Sequence, residues 1–277
     1  MLQRVITGSL LIIGLALVLY LGGWVFAVVA MAAICVAMRE EFQALAVAGH
    51  RPVWWPTFVA MVASIPLMLL SSGNRLMSLL LILMLANCLM VLIWVIFREQ
   101  PRLEDALVSV MPMFTILLPG ICLISLLRIE TKSLQVTLLC LVFAISVIGD
   151  TMAYFVGTRV GGRKLCPAVS PNKTVSGSIG GLVGSMAGAL AVGGIAAIWP
   201  PLDGTLPPSF AQYLLIGFVG GIAAQVGDLF ASLIKRHCAI KDYGSLFPGH
   251  GGMLDRMDSI LFTSVVVYCF WMITRAV

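Results

Sequence analysis

The chain has 277 residues, of which 60% are hydrophobic and only 10% are charged, and its formal net charge is +5. Soluble domains are about half apolar and about a quarter charged, so this composition excludes an ordinary soluble protein. The small positive excess indicates loops facing anionic lipid headgroups and gives no reason to expect nucleic acid as a partner.

Apolar runs of about 15 to 22 residues recur along the chain, close to the ~20 residues that a helix needs to cross a bilayer. We predict an all-α, polytopic integral membrane protein with about nine transmembrane helices, forming a single domain over residues 1–277. The first run is interpreted as an uncleaved helix, because no small-residue cleavage site follows it. The predicted spans are Val5–Leu21, Trp24–Met38, Pro56–Leu70, Leu76–Phe97, Ala106–Leu127, Leu134–Phe155, Ser178–Trp199, Tyr213–Leu233 and Ile260–Thr274.

Lysine and arginine placement predicts which side of the membrane each loop faces. With a cytoplasmic N-terminus, 13 of the 17 basic residues fall on the cytoplasmic side, as the positive-inside rule requires. The other four are Arg75, Arg128, Lys132 and Arg275. We therefore expect a multi-pass protein of the cell inner or plasma membrane, whose polar stretches 157–177 and 234–259 form active-site loops facing the cytoplasm.

Glycines recur at short spacings in two of the later spans. Small residues four positions apart let membrane helices approach closely. The pattern favours packing within the molecule and leaves a homodimer face open. These glycines are Gly177, Gly180, Gly181, Gly184 and Gly188, followed by Gly217, Gly220 and Gly221.

Two aspartates stand at the ends of apolar runs, where a carboxylate is costly and usually faces a cavity or a charged partner. On a continuing helix, Asp228 shares a face with Ser232 and Lys235. Asp150 shares a face with Tyr154 in the same way. Each aspartate alone is compatible with a structural ion pair or an interfacial helix end, but their common side of the membrane favours one shared cavity.

The densest polar segment covers residues 232–258 and ends in GHGGMLDRMD. Its glycines permit a tight turn that presents amide donors to an anion. Asp255 and Asp258 face the same way if a helix begins here, and hard carboxylate oxygens suit Mg²⁺. His250 has no neighbouring His or Cys, which argues against zinc and leaves a phosphate contact or a structural role open.

The segment SPNKTVSGSIGG, residues 170–181, combines a lysine with hydroxyl groups beside a glycine-rich helix start. Lys173, Ser170 and Thr174 would suit an anionic group, since helix N-termini and lysine both attract phosphate. A basic loop that only anchors headgroups is the alternative. Neither the P-loop spacing nor a GxGxxG after a strand is present, which excludes those two kinds of nucleotide site.

Residues 232–258 resemble the signature of phosphatidate cytidylyltransferases (CDP-diacylglycerol synthases) at every defining position. The matching residues are Ser232, Lys235, Arg236, Lys241, Asp242, Gly244, Phe247, Pro248, His250, Gly251, Gly252, Asp255, Arg256 and Asp258. The resemblance continues upstream to Gly227 and Asp228, to Asp150 and to the Ser170–Gly177 segment. It covers residues 134–277 strongly, as a catalytic half, whereas the spans in 1–133 match only in length and hydropathy.

The resemblance implies transfer of a cytidylyl group from CTP to phosphatidate, giving CDP-diacylglycerol and pyrophosphate in phospholipid biosynthesis. It also implies Mg²⁺, with K⁺ as a second cation, and a metal site at Asp228 and Asp255, which we expect Asp150 to complete. The expected catalytic residues are Asp228, Asp255, Lys235, Arg236 and Asp258. The expected substrate contacts are Ser170, Lys173, Thr174, Lys241, His250, Gly251, Gly252 and Arg256.

One position departs from the family pattern. Val175, Ser176 and Gly177 stand where the family typically has Trp-Glu-Gly, so a carboxylate beside the phosphate-binding loop is lost. This leaves open a divergent or non-catalytic paralogue with another lipid-phosphate or nucleotide preference. A membrane transporter is a weaker alternative, because no internal repeat is evident and the polar residues gather on one face.

Overall fold

The computed structural model describes residues 2–71, 73–129, 131–198 and 208–276, and most of them are helical. A π-helical turn, Met113–Leu117, joins the helix Leu103–Pro112 to the helix Leu118–Ser125, and a 3₁₀ turn, Leu126–Arg128, extends the same segment. The helices are α1 Leu2–Leu21, α2 Gly23–Val47, α3 Trp55–Leu70, α4 Gly73–Ile96, α5 Leu103–Pro112, α6 Leu118–Ser125, α7 Lys132–Val160, α8 Val175–Ile198, α9 Phe210–His237 and α10 Leu254–Ala276.

Among the described residues, six helical segments are long and apolar enough to cross a bilayer. They are Arg75–Ile96, Leu103–Arg128, Lys132–Val160, Val175–Ile198, Phe210–His237 and Leu254–Thr274. The multi-pass helical fold is therefore confirmed. The count of nine is not confirmed: α1, α2 and the apolar but shorter α3 match predicted spans without belonging to the six, and Trp199 lies outside the described residues.

Two helices extend beyond the apolar runs from which they were predicted. α7 ends at Val160 rather than Phe155, and α9 ends at His237 rather than Leu233. Basic residues in their last turns interact favourably with the helix dipole, which stabilises these polar extensions. Asp150 and Asp228 consequently lie nine or ten residues before the helix ends, about 15 Å along the axis at 1.5 Å per residue.

The polar stretch between α7 and α8 contains a small antiparallel hairpin that the sequence did not predict. Its strands are β1, Lys164–Cys166, and β2, Ser170–Thr174. The chain leaves α7 through Gly161, whose φ of 62° lies in the left-handed region that glycine tolerates. The Val175 amide donates to the Arg163 carbonyl at 2.9 Å, and this bond joins the two ends of the hairpin where α8 begins.

The glycine face of α8 packs against α7, and α9 packs against α8. A Cβ added to Gly180 would lie 2.6 Å from the Val156 side chain, and one added to Gly184 would lie 2.6 Å from Met152. The two helices can lie this close only because glycine has no side chain, so these glycines allow close packing within the molecule. Packing within the molecule, which the sequence favoured over a homodimer face, is thus confirmed for the glycine face of α8.

Gly217→Ala is expected to lower the thermal stability of the purified protein in detergent. The new Cβ would lie 2.7 Å from the Met186 Cα and 3.0 Å from the Ser185 carbonyl oxygen, and these backbone atoms cannot move alone. Overpacking of this kind costs about 1–3 kcal/mol. Gly194→Ala is the matched control, because its Cβ would meet no atom within 4 Å. Equal melting temperatures for the two variants would contradict the close contact of α8 and α9.

The N-terminal helices are not a separate layer. α2 packs against both α6 and α10, and its last turns carry buried acidic residues, Glu40 and Glu41. The Ile34 side chain of α2 fills the space that a side chain at Gly120 in α6 would occupy. The first half of the chain therefore contacts α10, the helix that follows the GHGG segment.

Candidate active site

A cavity of about 760 Å³ lies where α7, α8, α9 and α10 meet the hairpin. The polar stretches that were predicted to share one face, 157–177 and 234–259, both contribute to its wall. Carboxylates and cations alternate around it, with a few apolar side chains such as Leu165 and Leu229. The charged wall residues are Asp150, Lys164, Lys173, Asp228, Lys235, Asp242, Asp255, Arg256 and Asp258.

Lys173 of the hairpin forms an ion pair with Asp228 of α9, and 29% of each side chain is exposed. Lys235 was predicted to share a helix face with Asp228, but its ion-pair partner is Asp255. A carboxylate within a membrane helix needs a counter-charge. The hairpin supplies that charge from 55 positions away in the chain.

Both carboxylate oxygens of Asp255 accept hydrogen bonds. Its Oδ1 accepts from the Lys235 Nζ at 2.6 Å, and its Oδ2 accepts from the backbone amides of Tyr243 and Gly252 at 2.8 and 3.0 Å. Only 4% of the Asp255 side chain and 13% of the Lys235 side chain are exposed. The Gly252 amide, which was expected to face a substrate anion, thus binds this internal carboxylate and ties the loop to α9 and α10.

Tyr243 packs its ring near the Lys235 ammonium, 5.5 Å from the ring centroid. Burial, reinforced by the negative charge of Asp255, raises the pKa of Tyr243. Its hydroxyl therefore stays protonated and donates to the Ala231 carbonyl at 3.0 Å. This contact holds the loop onto α9 beside the ion pair.

Ser259 joins two further aspartates of the wall. Its hydroxyl donates to the Asp150 Oδ2 at 3.1 Å, and its amide donates to the Asp258 Oδ1 at 2.7 Å. Asp150 and Asp258 also interact electrostatically with Asp228, so three carboxyl groups are crowded together and repel one another when ionised. A cation would relieve that repulsion, and hard oxygen donors suit Mg²⁺.

No group of three or more His, Cys, Asp or Glu side chains within the described part of the chain is arranged to hold a metal ion. Magnesium usually takes only one or two protein carboxylates and fills its other positions with water and substrate phosphates. The carboxylates present therefore fit Mg²⁺ bound together with a nucleotide better than a metal site made of protein ligands alone.

Thr174 and Ser176 shape the beginning of α8. The Gly177 amide donates to the Thr174 hydroxyl at 3.1 Å, and the Ser176 hydroxyl donates to the Gly161 carbonyl. Thr174 and Gly177 line the cavity, whereas Ser176 binds the end of α7. Ser176, the position that departs from the family pattern, thus connects the start of α8 to the end of α7 on either side of the hairpin.

The structure brings most of the predicted site residues together. Those on the cavity wall are Asp150, Lys173, Thr174, Asp228, Lys235, Asp255, Arg256 and Asp258. Of the described residues, six that were predicted as site residues do not line it: Ser170, Arg236, Lys241, His250, Gly251 and Gly252. Arg236 Nε donates to the Val169 carbonyl at 3.1 Å and so holds the hairpin turn, while Gly251 adopts a φ of 81° in the GHGG turn.

The wall also contains polar residues that were not among the predicted catalytic, substrate-binding or metal-binding residues. Asp242 follows Lys241 in the signature and Lys164 follows Arg163, so the charged neighbours of both residues could have indicated that they belong to the site. Gln225 lies one helical turn before Asp228, a polar residue inside an apolar run. Its amide nitrogen donates to the Ser178 carbonyl at 3.0 Å, which links α8 to α9 across the cavity.

Comparison with known proteins finds relatives of the chain. The phosphatidate cytidylyltransferase of Bacillus subtilis (strain 168) is 44% identical over 119 residues, which cover 43% of this chain and 41% of that protein. That of Brucella abortus biovar 1 (strain 9-941) is 39% identical over 134 residues, or 48% and 46% of the two chains. The uncharacterized protein YnbB of Escherichia coli (strain K12) is 38% identical over 147 residues, or 52% and 46%.

These matches span slightly less than half the length of the curated relatives. The model of the cytidylyltransferase family, by contrast, matches residues 2–274, nearly the whole chain. The resemblance inferred from residues 232–258 is therefore confirmed over both halves, and the chain belongs to the cytidylyltransferase family.

Proposed function

We propose that the chain transfers a cytidylyl group from CTP to phosphatidate, giving CDP-diacylglycerol and pyrophosphate. The observation that carries the proposal is a cavity of nucleotide size, about 760 Å³, whose wall alternates carboxylates and cations at one end of a membrane bundle. Two of the relatives are named phosphatidate cytidylyltransferase.

The chemistry suits these residues. A phosphate oxygen of phosphatidate attacks the α-phosphorus of CTP, and the bond from that phosphorus to the oxygen bridging the β-phosphate breaks. Pyrophosphate leaves with the bonding electron pair. The attacking monoester is already ionised at neutral pH, so no strong base is needed. The protein must instead align two anions and offset their charge. Lys164, Lys173, Lys235 and Arg256 are the cations on the cavity wall.

The proposal includes Mg²⁺, with K⁺ as a second cation, held by Asp228, Asp255 and Asp150. When bound, the metal would neutralise charge on the triphosphate. Lys173 and the metal would compete for Asp228, because both are cations that bind the same carboxylate. Asp150 is positioned by the Ser259 hydroxyl, and Asp255 by Lys235 and two backbone amides.

The proposed topology places the cavity on the cytoplasmic side of the cell inner or plasma membrane, within a bundle of nine spans. The support is the excess of basic residues in the loops on that side. The phosphatidate headgroup would enter from the cytoplasmic leaflet while its acyl chains remain among the lipids.

The expected result of the direct assay is a CDP-lipid and pyrophosphate in equal amounts. Purified protein in detergent is incubated with phosphatidate, CTP and Mg²⁺, and both products are measured. Removing Mg²⁺ with EDTA should stop the reaction, because the crowded carboxylates and the triphosphate then lack a counter-ion. No CDP-lipid from any phosphatidate species would contradict the proposal and favour a non-catalytic paralogue.

One observation favours a second candidate, a cytidylyltransferase acting on another lipid phosphate. Ser176 replaces a glutamate of the family pattern and binds the Gly161 carbonyl, which removes a negative charge near the hairpin. Parallel reactions with an isoprenoid phosphate, and with dCTP in place of CTP, distinguish the candidates. Faster turnover of the isoprenoid phosphate than of phosphatidate would support the second.

A further inference from the structure

Glu40 of α2 caps the first amides of α10 from the opposite half of the chain. Its Oε1 accepts from the Met253 amide at 2.9 Å, and its Oε2 accepts from the Leu254 amide at 2.8 Å. The residue is 7% exposed. Helix N-termini carry unpaired amides and the positive end of the helix dipole, so a buried carboxylate is stabilised here. The usual capping side chain is local, whereas Glu40 is 213 positions away from Met253.

Two glycines of the 232–258 segment make room for this carboxylate. A Cβ added to Gly244 would lie 2.5 Å from the Glu40 Oε1, and one added to Gly252 would lie 2.5 Å from the Oε2. Any side chain at either position would displace the carboxylate. The loop and Glu40 are therefore complementary in shape as well as in charge.

Glu40 and Asp255 hold three consecutive amides between them. The Gly252 amide donates to Asp255, and the next two amides donate to Glu40. The point at which α10 begins is thus set by two carboxylates, one from α2 and one from α10 itself. The orientation of Asp255 and Asp258, one helical turn apart on α10, follows from that point.

The segment after α2 makes a second contact with the helices of the site. The Nε2 atoms of His50 and His237 are 2.8 Å apart, and the two rings stack with centroids 5.1 Å apart. His237 ends α9, which also carries Asp228 and Lys235. The end of α2 is consequently attached to α9 and α10, two of the helices that bear carboxylates of the cavity.

We propose that Glu40 is a positioning residue of the active site, whose charge holds residues 252–254 so that Asp255 and Asp258 face the cavity. The proposal rests on the proposed function. Glu40 itself is not part of the cavity wall, so it acts through the start of α10. The N-terminal spans then form part of the catalytic unit.

Glu41 provides the matched control. It lies beyond the predicted span Trp24–Met38 and accepts a hydrogen bond from the Thr115 hydroxyl at 3.0 Å rather than from the loop. Burial raises the pKa of Glu41 to about 8, so its carboxyl is largely protonated at pH 7. A glutamine at position 41 therefore reproduces both its charge and its shape.

The test compares Glu40→Gln with Glu41→Gln in two measurements. Hydrogen exchange of residues 252–255 without substrates should be faster in Glu40→Gln and unchanged in Glu41→Gln. In the CDP-lipid assay, Glu40→Gln should lower kcat and kcat/KM together, on the order of 10²-fold, because a small displacement of reacting groups has such an effect. Glu41→Gln should keep wild-type kcat.

Gly244→Ala supplies a second variant in case Glu40→Gln folds poorly. It should cause the same loss of kcat, and combining it with Glu40→Gln should add little, because both changes remove one contact. Wild-type kcat in Glu40→Gln, or unchanged exchange at residues 252–255, would overturn the proposal. If the wild-type protein makes no CDP-lipid, the proposed function fails, and the exchange comparison alone decides whether Glu40 holds the loop.

Discussion

Asp255→Asn should reduce CDP-lipid formation by at least about 10²-fold. The carboxylate accepts from the Lys235 ammonium and from two backbone amides, and an asparagine has only one acceptor oxygen. The NH₂ group of the asparagine would face either the Lys235 ammonium or the two backbone amides, which are all donors. The Lys235 charge would also remain buried without a partner, which costs about 3–5 kcal/mol in such sites. We therefore expect both the loop that contains Tyr243 and Gly252 and the Lys235 side chain to shift in this variant.

This prediction is measured as transfer of labelled cytidylyl groups into lipid at saturating CTP. Glu99→Gln is the control, since it makes the same chemical change at an exposed loop between α4 and α5. Gel filtration in detergent establishes whether Asp255→Asn remains folded. Wild-type turnover in a folded Asp255→Asn protein would exclude Asp255 from the site.

Lys173→Gln should lower kcat/KM for CTP by about 10- to 10²-fold, because hydrogen bonds to charged groups contribute about 1.5–3 kcal/mol. The change removes the only ion-pair partner of Asp228 among the described residues. Asp150, Asp228 and Asp258 then repel an anionic nucleotide more strongly. Under the proposed function Mg²⁺ would compete with Lys173 for Asp228, so the half-saturating Mg²⁺ concentration should fall in the same variant.

Initial rates over a range of CTP and Mg²⁺ concentrations measure both effects. Lys132→Gln is the control, because Lys132 is exposed at the opposite end of α7 from the cavity. Lys173→Arg retains the charge and should recover part of the lost activity. An unchanged kcat/KM in Lys173→Gln would show that the ion pair is structural.

Features with a local period were predictable from the sequence. Asp255 and Asp258 share the face of a helix that begins where the GHGG turn ends, and Asp150 and Asp228 lie on helices that continue past them. The spacing of 3.6 residues per turn fixes such relations within one element. The long apolar runs likewise located the six strongest spans.

Features that depend on distant parts of the chain were not predictable. No pattern around Lys173 distinguishes Asp228 from any other carboxylate as its partner, and no pattern around Glu40 points to Met253. The hairpin 164–174 was missed because its strands are only three and five residues long. Hydropathy also placed the ends of α7 and α9 too early, since it does not register the basic residues that stabilise a last turn.

The depth of Asp150 and Asp228 has a consequence for the lipid substrate. A reaction centre at these aspartates would lie about 15 Å along the helix axes inside the ends of α7 and α9, rather than beyond them in the aqueous phase. Raising a phospholipid by one helical turn, about 5.4 Å, would expose several CH₂ groups on each acyl chain, at about 0.8 kcal/mol apiece. In the proposed reaction the water-soluble nucleotide would therefore descend to the lipid, and the CDP-diacylglycerol product would stay in its leaflet throughout.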